Sequence, residues 1–232
     1  MNPQSIGEAT ITPQAQQQVA PDVLSPQGKS QLLQHLGSAT KEKPILDTIL
    51  RNLAAKIGAD FSSRVKNPQT TVQKIAQKRL QGRDYGIQNI NDAYGGRIIV
   101  NKSPDVQKAK SGLENLAKAG AIEILKQQRV NNDTYSAYHV DIQTPGGTRA
   151  EIQVMTQKQE LESLANHPLR SVHGENPPDS IKTLKDRQAQ LAGNISNSKA
   201  KQVSLQIKQM AEANGGQPLD PRMVASAMRS IV

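Results

Sequence analysis

Asn91-Asp92-Ala93-Tyr94-Gly95-Gly96-Arg97-Ile98-Ile99-Val100 is the stretch from which the architecture can be read. Ile98, Ile99 and Val100 form a β-branched apolar run with the character of a buried strand. The two glycines ahead of it let the backbone turn tightly or let a bulky ligand come close. Asp92 precedes Arg97 by five residues, so both sit at or near the entry to that strand. An acid that can hold a metal beside a cation that can hold phosphate points to nucleotide chemistry. The plainer alternative is a salt bridge or a solvated turn.

Working outward, the pattern alternates helices and strands. Ser25-Pro26 has the form of a helix start, and Leu32, Leu33 and Leu36 give that short helix an apolar side. A second helix is expected over 44–58, where Ile45, Leu46, Ile49, Leu50, Leu53 and Ile57 recur at helical spacing and Gly58 can end it. A strand over 61–66 carries Arg64 and Lys66 on one face, and Pro68 opens a helix over 69–80 that bears Lys74. Residues 81–90 read as a loop, and the quoted stretch supplies a strand over 95–101. Ser103-Pro104-Asp105 starts an amphipathic helix that ends at Gly120. A short strand over 121–126 and a turn at Asn131-Asn132-Asp133 follow. Tyr135 to Gln143 and Arg149 to Met155 then read as a hairpin around Pro145-Gly146-Gly147. A helix over 157–166 closes this part. A helical tail follows to about 213, interrupted near Gly193-Asn194. A last helix is capped by Asp220-Pro221, with Met223, Val224, Ala227, Met228 and Ile231 on its apolar side.

The expectation is a mixed α/β (α+β) domain of about five strands flanked by helices, with a helical C-terminal tail. Its expected limits are 26–175, preceded by a polar Gln- and Pro-rich arm over 1–25 and followed by an extension over 176–232.

Composition narrows the class. With aromatic residues at 2% and no Trp, the core must be built from Leu, Ile, Val, Ala and Met, and Tyr135 and Tyr138 gain weight because they sit near polar motifs. The net charge of +9 favours an anionic partner: nucleotide, RNA, DNA or a membrane surface. The absence of cysteine excludes disulfides and thiolate metal sites and suits a cytoplasmic protein. No segment approaches the roughly 20 apolar residues of a membrane span, and the N-terminus lacks the layout of a secretory signal.

Four features could carry chemistry together. Arg64, Lys66 and Lys74 would make a basic pocket suited to a triphosphate. Asp92 and Arg97 are the second. In the third, Tyr135 and His139 share one side of a strand, where a ring and an imidazole could meet a base, ribose or phosphate. In the fourth, Glu151 and Gln153 share a face while Ile152 and Val154 point to the core. Glu151 with Asp92 could complete a two-carboxylate Mg²⁺ site. Each alone has an ordinary structural reading: a solvated basic face, a salt bridge, ring packing at a sheet edge, an amphipathic strand.

The ordered set resembles the synthetase domain of RelA/SpoT-type alarmone synthetases, over about residues 60–170. It comprises Arg64, Lys66, Lys74, Asp92, Arg97, Ile98, Tyr135, His139, Glu151, Gln153 and Thr156, with His167 sixteen residues beyond Glu151. The resemblance implies a nucleotidyltransferase-like fold. It implies transfer of the β,γ-pyrophosphate of ATP to the 3′-hydroxyl of a second nucleotide, GDP or GTP or an adenine nucleotide. By the same resemblance Asp92 and Glu151 hold Mg²⁺, and Glu151 also orients or deprotonates the attacking hydroxyl. Arg64, Lys66, Lys74 and Arg97 serve ATP, and Tyr135, His139, Gln153 and His167 serve the acceptor. Three departures from the family pattern cluster on the acceptor side: Asp133-Thr134 where an Asn-Gly is usual, Met155 where an Arg is common, and Ser171-Val172 where a Tyr-Lys is expected. They leave the acceptor open, with the 3′ end of tRNA or another RNA as a toxin-like alternative and a non-catalytic binding module as another. The chain is too short for the hydrolase and regulatory domains of the long bifunctional enzymes, so a stand-alone synthetase or toxin-like relative is expected. The arm and tail are candidates for homo-oligomerisation, partner binding or delivery.

Overall fold

The computed structural model describes residues 23–132, 135–173, 179–215 and 219–229. The expected arm over 1–25 lies almost wholly outside them, as do Asp133, Thr134, residues 174–178 and Ile231. Five strands form one sheet: β1 (Asp60–Val65), β2 (Tyr94–Val100), β3 (Glu123–Asn132), β4 (Tyr135–Gln143) and β5 (Arg149–Thr156). Their order is β1-β2-β5-β4-β3. β2 and β5 pair in parallel, and every other pair is antiparallel. The helices are α1 (Pro26–Lys56), α2 (Pro68–Leu80), α3 (Ser103–Lys118), α4 (Gln157–His173), α5 (Asp179–Asn194), α6 (Asn197–Ala213) and α7 (Pro221–Arg229). The mixed sheet flanked by helices is the architecture expected from the pattern.

Side-chain alternation divides the sheet into a dry face and a site face. Tyr94, Ile98 and Val100 of β2, Val140 and Ile142 of β4, and Ala150, Ile152 and Val154 of β5 share one buried cluster with Leu32, Leu46 and Leu50 of α1 and Leu113 of α3. Gly96 lies on this face because a Cβ there would come within 2.8 Å of Ile152 Cδ1. Neither glycine of the opening stretch has a positive φ. They are strand residues, not a turn: Gly96 allows close packing, and Gly95 leaves the opposite face low.

A second core gathers Leu161 and Ala165 of α4 with Ala192 of α5, Val203 and Ile207 of α6, and Val224, Ala227 and Met228 of α7. α4 thus joins the two cores, touching β2, β4 and β5 as well as α5, α6 and α7.

Several local expectations change. The two helices expected before residue 58 are one 31-residue helix, α1, with Pro44 inside it. A proline removes a backbone donor and crowds the preceding turn, which is why it reads as a break. The helix continues because Leu32, Leu36 and Ala39 before Pro44 and Leu46, Leu50 and Leu53 after it bury on the same side. Leu33 and Ile45, expected on the apolar face, are exposed. β3 runs to Asn132, so the turn expected at Asn131-Asn132 is strand, with Asn131 opposite Ser136 and Asn132 opposite Tyr135. Its polar run Gln127-Gln128-Arg129 hides the strand from a hydrophobicity reading, because an edge strand is held by backbone pairing to one neighbour. α4 extends to His173, beyond the expected end at 166. Met223 of α7 is exposed.

Candidate active site

The site face is built from two cross-strand rows. One runs Arg64, Gly95, Glu151, Asp141, and the next runs Ser62, Arg97, Gln153, His139, Gln128. Residues paired directly across strands point the same way, so the register alone brings these side chains together. α4 and α6 cover part of this face. The uncovered part is a cleft of about 330 Å³ lined by Arg64, Asp92, Gly95, Arg97, Glu151, Gln153 and His167, with Ile207 and Ala211 of α6 and Leu219 on its far wall.

At the β1–β2 end, Asp92 stands just before β2 and Lys66 just after β1, where the Lys66 backbone N–H donates to Ala93 O at 2.9 Å. Lys66 Nζ donates to Asp92 Oδ2 at 2.5 Å, and Lys74 Nζ on α2 lies 3.6 Å from the same oxygen. α2 aims Lys74 here because Asn67 caps it, accepting from the Gln69 and Thr70 N–H groups, and Pro68 occupies its first position. Burial acts to raise the Asp92 carboxyl, but the two lysines outweigh it and hold the group below the ordinary carboxylate range. Burial lowers the Lys66 ammonium despite Asp92. Burial also works against charged Lys74, but Asp92 prevails and raises it. Arg64 is exposed and forms no ion pair among the described residues.

At the β4–β5 end, the partners of the carboxylate are hydrogen-bonding groups. Glu151 Oε2 meets His139 Nδ1 at 2.9 Å, and Glu151 Oε1 accepts from Gln153 Nε2 at 2.8 Å. The other imidazole nitrogen, Nε2, lies 2.7 Å from the Tyr135 hydroxyl. In a neutral ring, Nδ1–H therefore donates to Glu151 while Nε2 accepts from Tyr135. Burial pushes the Glu151 carboxyl up, but His139 and Gln153 outweigh it, and the group stays below its usual value. Gln153 also ties the two ends together, since its Oε1 accepts from Arg97 Nε at 3.2 Å and Nη2 at 3.0 Å.

The Tyr135 ring is 7% exposed, edge-on to His139 and clustered with Ile99, Ala137 and Met155. The ring is covered, so the contact with a base expected of Tyr135 is not presented in this arrangement. Met155, at the position where the family commonly has a cation, is part of that apolar cover.

The cleft therefore gathers Arg64, Asp92, Arg97, Glu151, Gln153 and the exposed His167 directly, while Lys66 and Lys74 reach it through Asp92, and His139 and Tyr135 through Glu151. Two residues escaped the sequence reading. Asp141 stands directly opposite Glu151. Burial first, and then the Glu151 charge, raise its carboxyl. Period-two alternation from His139 could have found it. Glu160, in the first turn of α4 and 2% exposed, lies 3.7 Å from Arg97 Nη1; no local pattern announces it.

Among the described residues no group of three metal-binding side chains occurs. A Mg²⁺ ion usually takes one or two carboxylates and fills its other positions with water and substrate phosphate. Asp92 and Glu151 suit that role: they line one cleft, and the Asp92 charge is felt at Glu151.

Residues 63–170 match the family described as a region found in RelA / SpoT proteins. No curated protein matches the chain by sequence. Among solved structures, the chain is similar to the small alarmone synthetase 1 from Bacillus subtilis, with a TM-score of 0.54, 21% identity, and coverage of 81% of this chain and 96% of that one. The small alarmone synthetase 2 from Bacillus subtilis is similar at a TM-score of 0.55 and 18% identity, covering 78% of this chain and 98% of the other. A structure of synthetase 1 from Bacillus subtilis bound to its product pppGpp aligns at 0.53 and 20% identity, over 81% of this chain and 96% of that one. These likenesses establish a common fold, and residues 63–170 carry the region found in RelA / SpoT proteins.

Proposed function

We propose that the chain is a pyrophosphotransferase that moves the β,γ-pyrophosphate of ATP to the 3′-hydroxyl of a purine nucleotide. The observation that carries this reading is the pairing of two differently served carboxylates in one cleft: Asp92 set among cations, Glu151 set among hydrogen-bond partners. Transfer of this kind asks for positioning and charge neutralisation more than covalent help from the protein. Lys66, Lys74, Arg64 and Arg97 supply cations for a triphosphate. Glu151 supplies an acceptor for the proton of the attacking hydroxyl, and its carboxyl is held in the acceptor form at neutral pH. The hydroxyl oxygen bonds to the β-phosphorus, the bond from that phosphorus to the α-phosphate oxygen breaks, and AMP leaves. His139, fixed by Tyr135 on its far side, keeps the Glu151 carboxylate aimed. Asp92 and Glu151 would hold Mg²⁺, which when bound neutralises phosphate charge.

The first acceptors to test are GDP and GTP, as the product-bound relative suggests. A second reading, an RNA 3′ end as acceptor, is favoured by the net charge of +9. The test is an acceptor panel of GDP, GTP, ADP, ATP, AMP and tRNA with γ-labelled ATP and Mg²⁺. Label on a nucleotide 3′ position supports the first reading, and label confined to RNA supports the second. Nucleotide binding without any transfer would leave a binding module.

A further inference from the structure

The C-terminal helices reach into the cleft, and one side chain on them touches its charge system. α6 places Ile207 and Ala211 on the cleft wall and, between them in sequence, sends Lys208 Nζ to within 2.7 Å of Glu160 Oε1. The same oxygen is the one that Arg97 Nη1 approaches at 3.7 Å. α6 is anchored to the catalytic sheet elsewhere as well, by Lys201 on Asp60 of β1 and by Asn197 Nδ2 on Asn101 O.

We propose that Lys208 is a positioning residue for the nucleotide cleft, acting through the buried Glu160 carboxylate on Arg97. Glu160 is 2% exposed, and a buried carboxylate demands a cation. Two cations compete for one oxygen, and Lys208 is the closer by a full ångström. Lys208 is the nearer charge for Glu160, whose Oε1 accepts no hydrogen bond among the described residues, and Arg97 stays on Gln153 with its guanidinium turned to the cleft. Without Lys208, the uncompensated carboxylate draws Arg97 out of the cleft and against α4. The helical tail then has a defined task in the synthetase: it sets the availability of the arginine that meets the nucleotide. Only the identity of that ligand rests on the proposed function; the competition for Glu160 does not.

The test has two independent arms on the full chain. The first follows the Arg97 Nε–H resonance by ¹⁵N NMR, assigned by loss in Arg97→Lys. It compares wild type, Lys208→Met, Lys208→Arg and the double variant Lys208→Met/Glu160→Gln. The resonance is expected to move in Lys208→Met and to return in Lys208→Arg and in the double variant, where the unpaired carboxylate is gone. The second arm measures steady-state transfer. KM for ATP is expected to rise roughly tenfold in Lys208→Met with kcat held within about twofold, the signature of lost uniform binding, and to recover in the double variant. An unmoved Arg97 resonance overturns the inference whether or not the protein transfers pyrophosphate. So does failure of the double variant to restore it, because the proposed displacement of Arg97 follows the unpaired Glu160 charge. Absence of ATP transfer in wild type counts against the proposed function instead, and the NMR arm still decides the role of Lys208.

Discussion

The two ends of the cleft hold one carboxylate each and treat it in opposite ways. Asp92 is pressed by two ammonium groups. Glu151 is held by an imidazole and an amide, with a second carboxylate, Asp141, directly across the strand pair. Both carboxyls lie below their ordinary values, but for different reasons: cation attraction at Asp92, hydrogen bonding and His139 at Glu151. The difference teaches a division of labour. Ion pairing at the β1–β2 end keeps lysines in place that a phosphate can claim, since their attraction is not specific to Asp92. Directed hydrogen bonds at the β4–β5 end hold both Glu151 oxygens in one orientation, which suits the proton acceptor proposed there.

The sharpest way to break this comparison is to neutralise Glu151. Glu151→Gln keeps the shape and removes the proton acceptor. Transfer is expected to fall by roughly 10³-fold, within the range for loss of a positioned acid–base group, with an unchanged circular dichroism spectrum. Retained transfer would make the two carboxylates equivalent.

Lys66→Met tests the other end. Removing a cation proposed to meet the triphosphate costs ~1.5–3 kcal/mol, the range for a hydrogen bond to a charged group, so ATP affinity should drop by roughly tenfold or more. Equilibrium dialysis with ATP reads this directly. The acceptor KM should hardly move; a parallel rise in both would show that the ends are not separable.

The pH dependence of folding separates them further. The two lysines overcome burial and hold the Asp92 carboxyl in the folded chain below its ordinary unfolded value. Such a group adds stability above the unfolded value, and that stability is lost as pH falls through the folded value. Wild type should therefore lose stability below about pH 4, and Asp92→Asn should show a flatter acid limb in denaturant titrations. Asp141 has the opposite sign: its folded value is raised, so it costs stability as pH climbs past the unfolded value.

Tyr135→Phe deletes only the hydroxyl that braces His139. Loss of one hydrogen bond is worth ~1 kcal/mol, so a change of a few-fold in acceptor KM is expected, with ATP affinity unaltered. Asp141→Asn should have the smallest effect, a modest rise in melting temperature at neutral pH as the like-charge contact with Glu151 disappears.

The legibility of the molecule follows the same physics. Strand residues were readable because alternation is local: Arg64, His139, Glu151 and Gln153 each announce a face through their own neighbours. The ladder that aligns those faces is not local. Asp141 has a strand pattern as clear as that of His139, yet its meaning depends on the register that sets it against Glu151. Pro44 read as a break because the local rule is correct, and packing on both sides of it overrides that rule. β3 extends past its hydrophobic signal because backbone pairing, not side-chain hydrophobicity, holds its polar half.

The sequence by itself determined that a mixed sheet would carry acids and bases at the spacings of a RelA/SpoT-type domain, because those spacings lie within single strands and helix starts. Only the tertiary structure decided that Tyr135 is tucked beneath an apolar cover, that Glu160 lies beside Arg97, and that Lys208 competes for it. Those contacts join residues 20 to 63 positions apart, through burial and charge, and such distances leave no periodic mark in the chain.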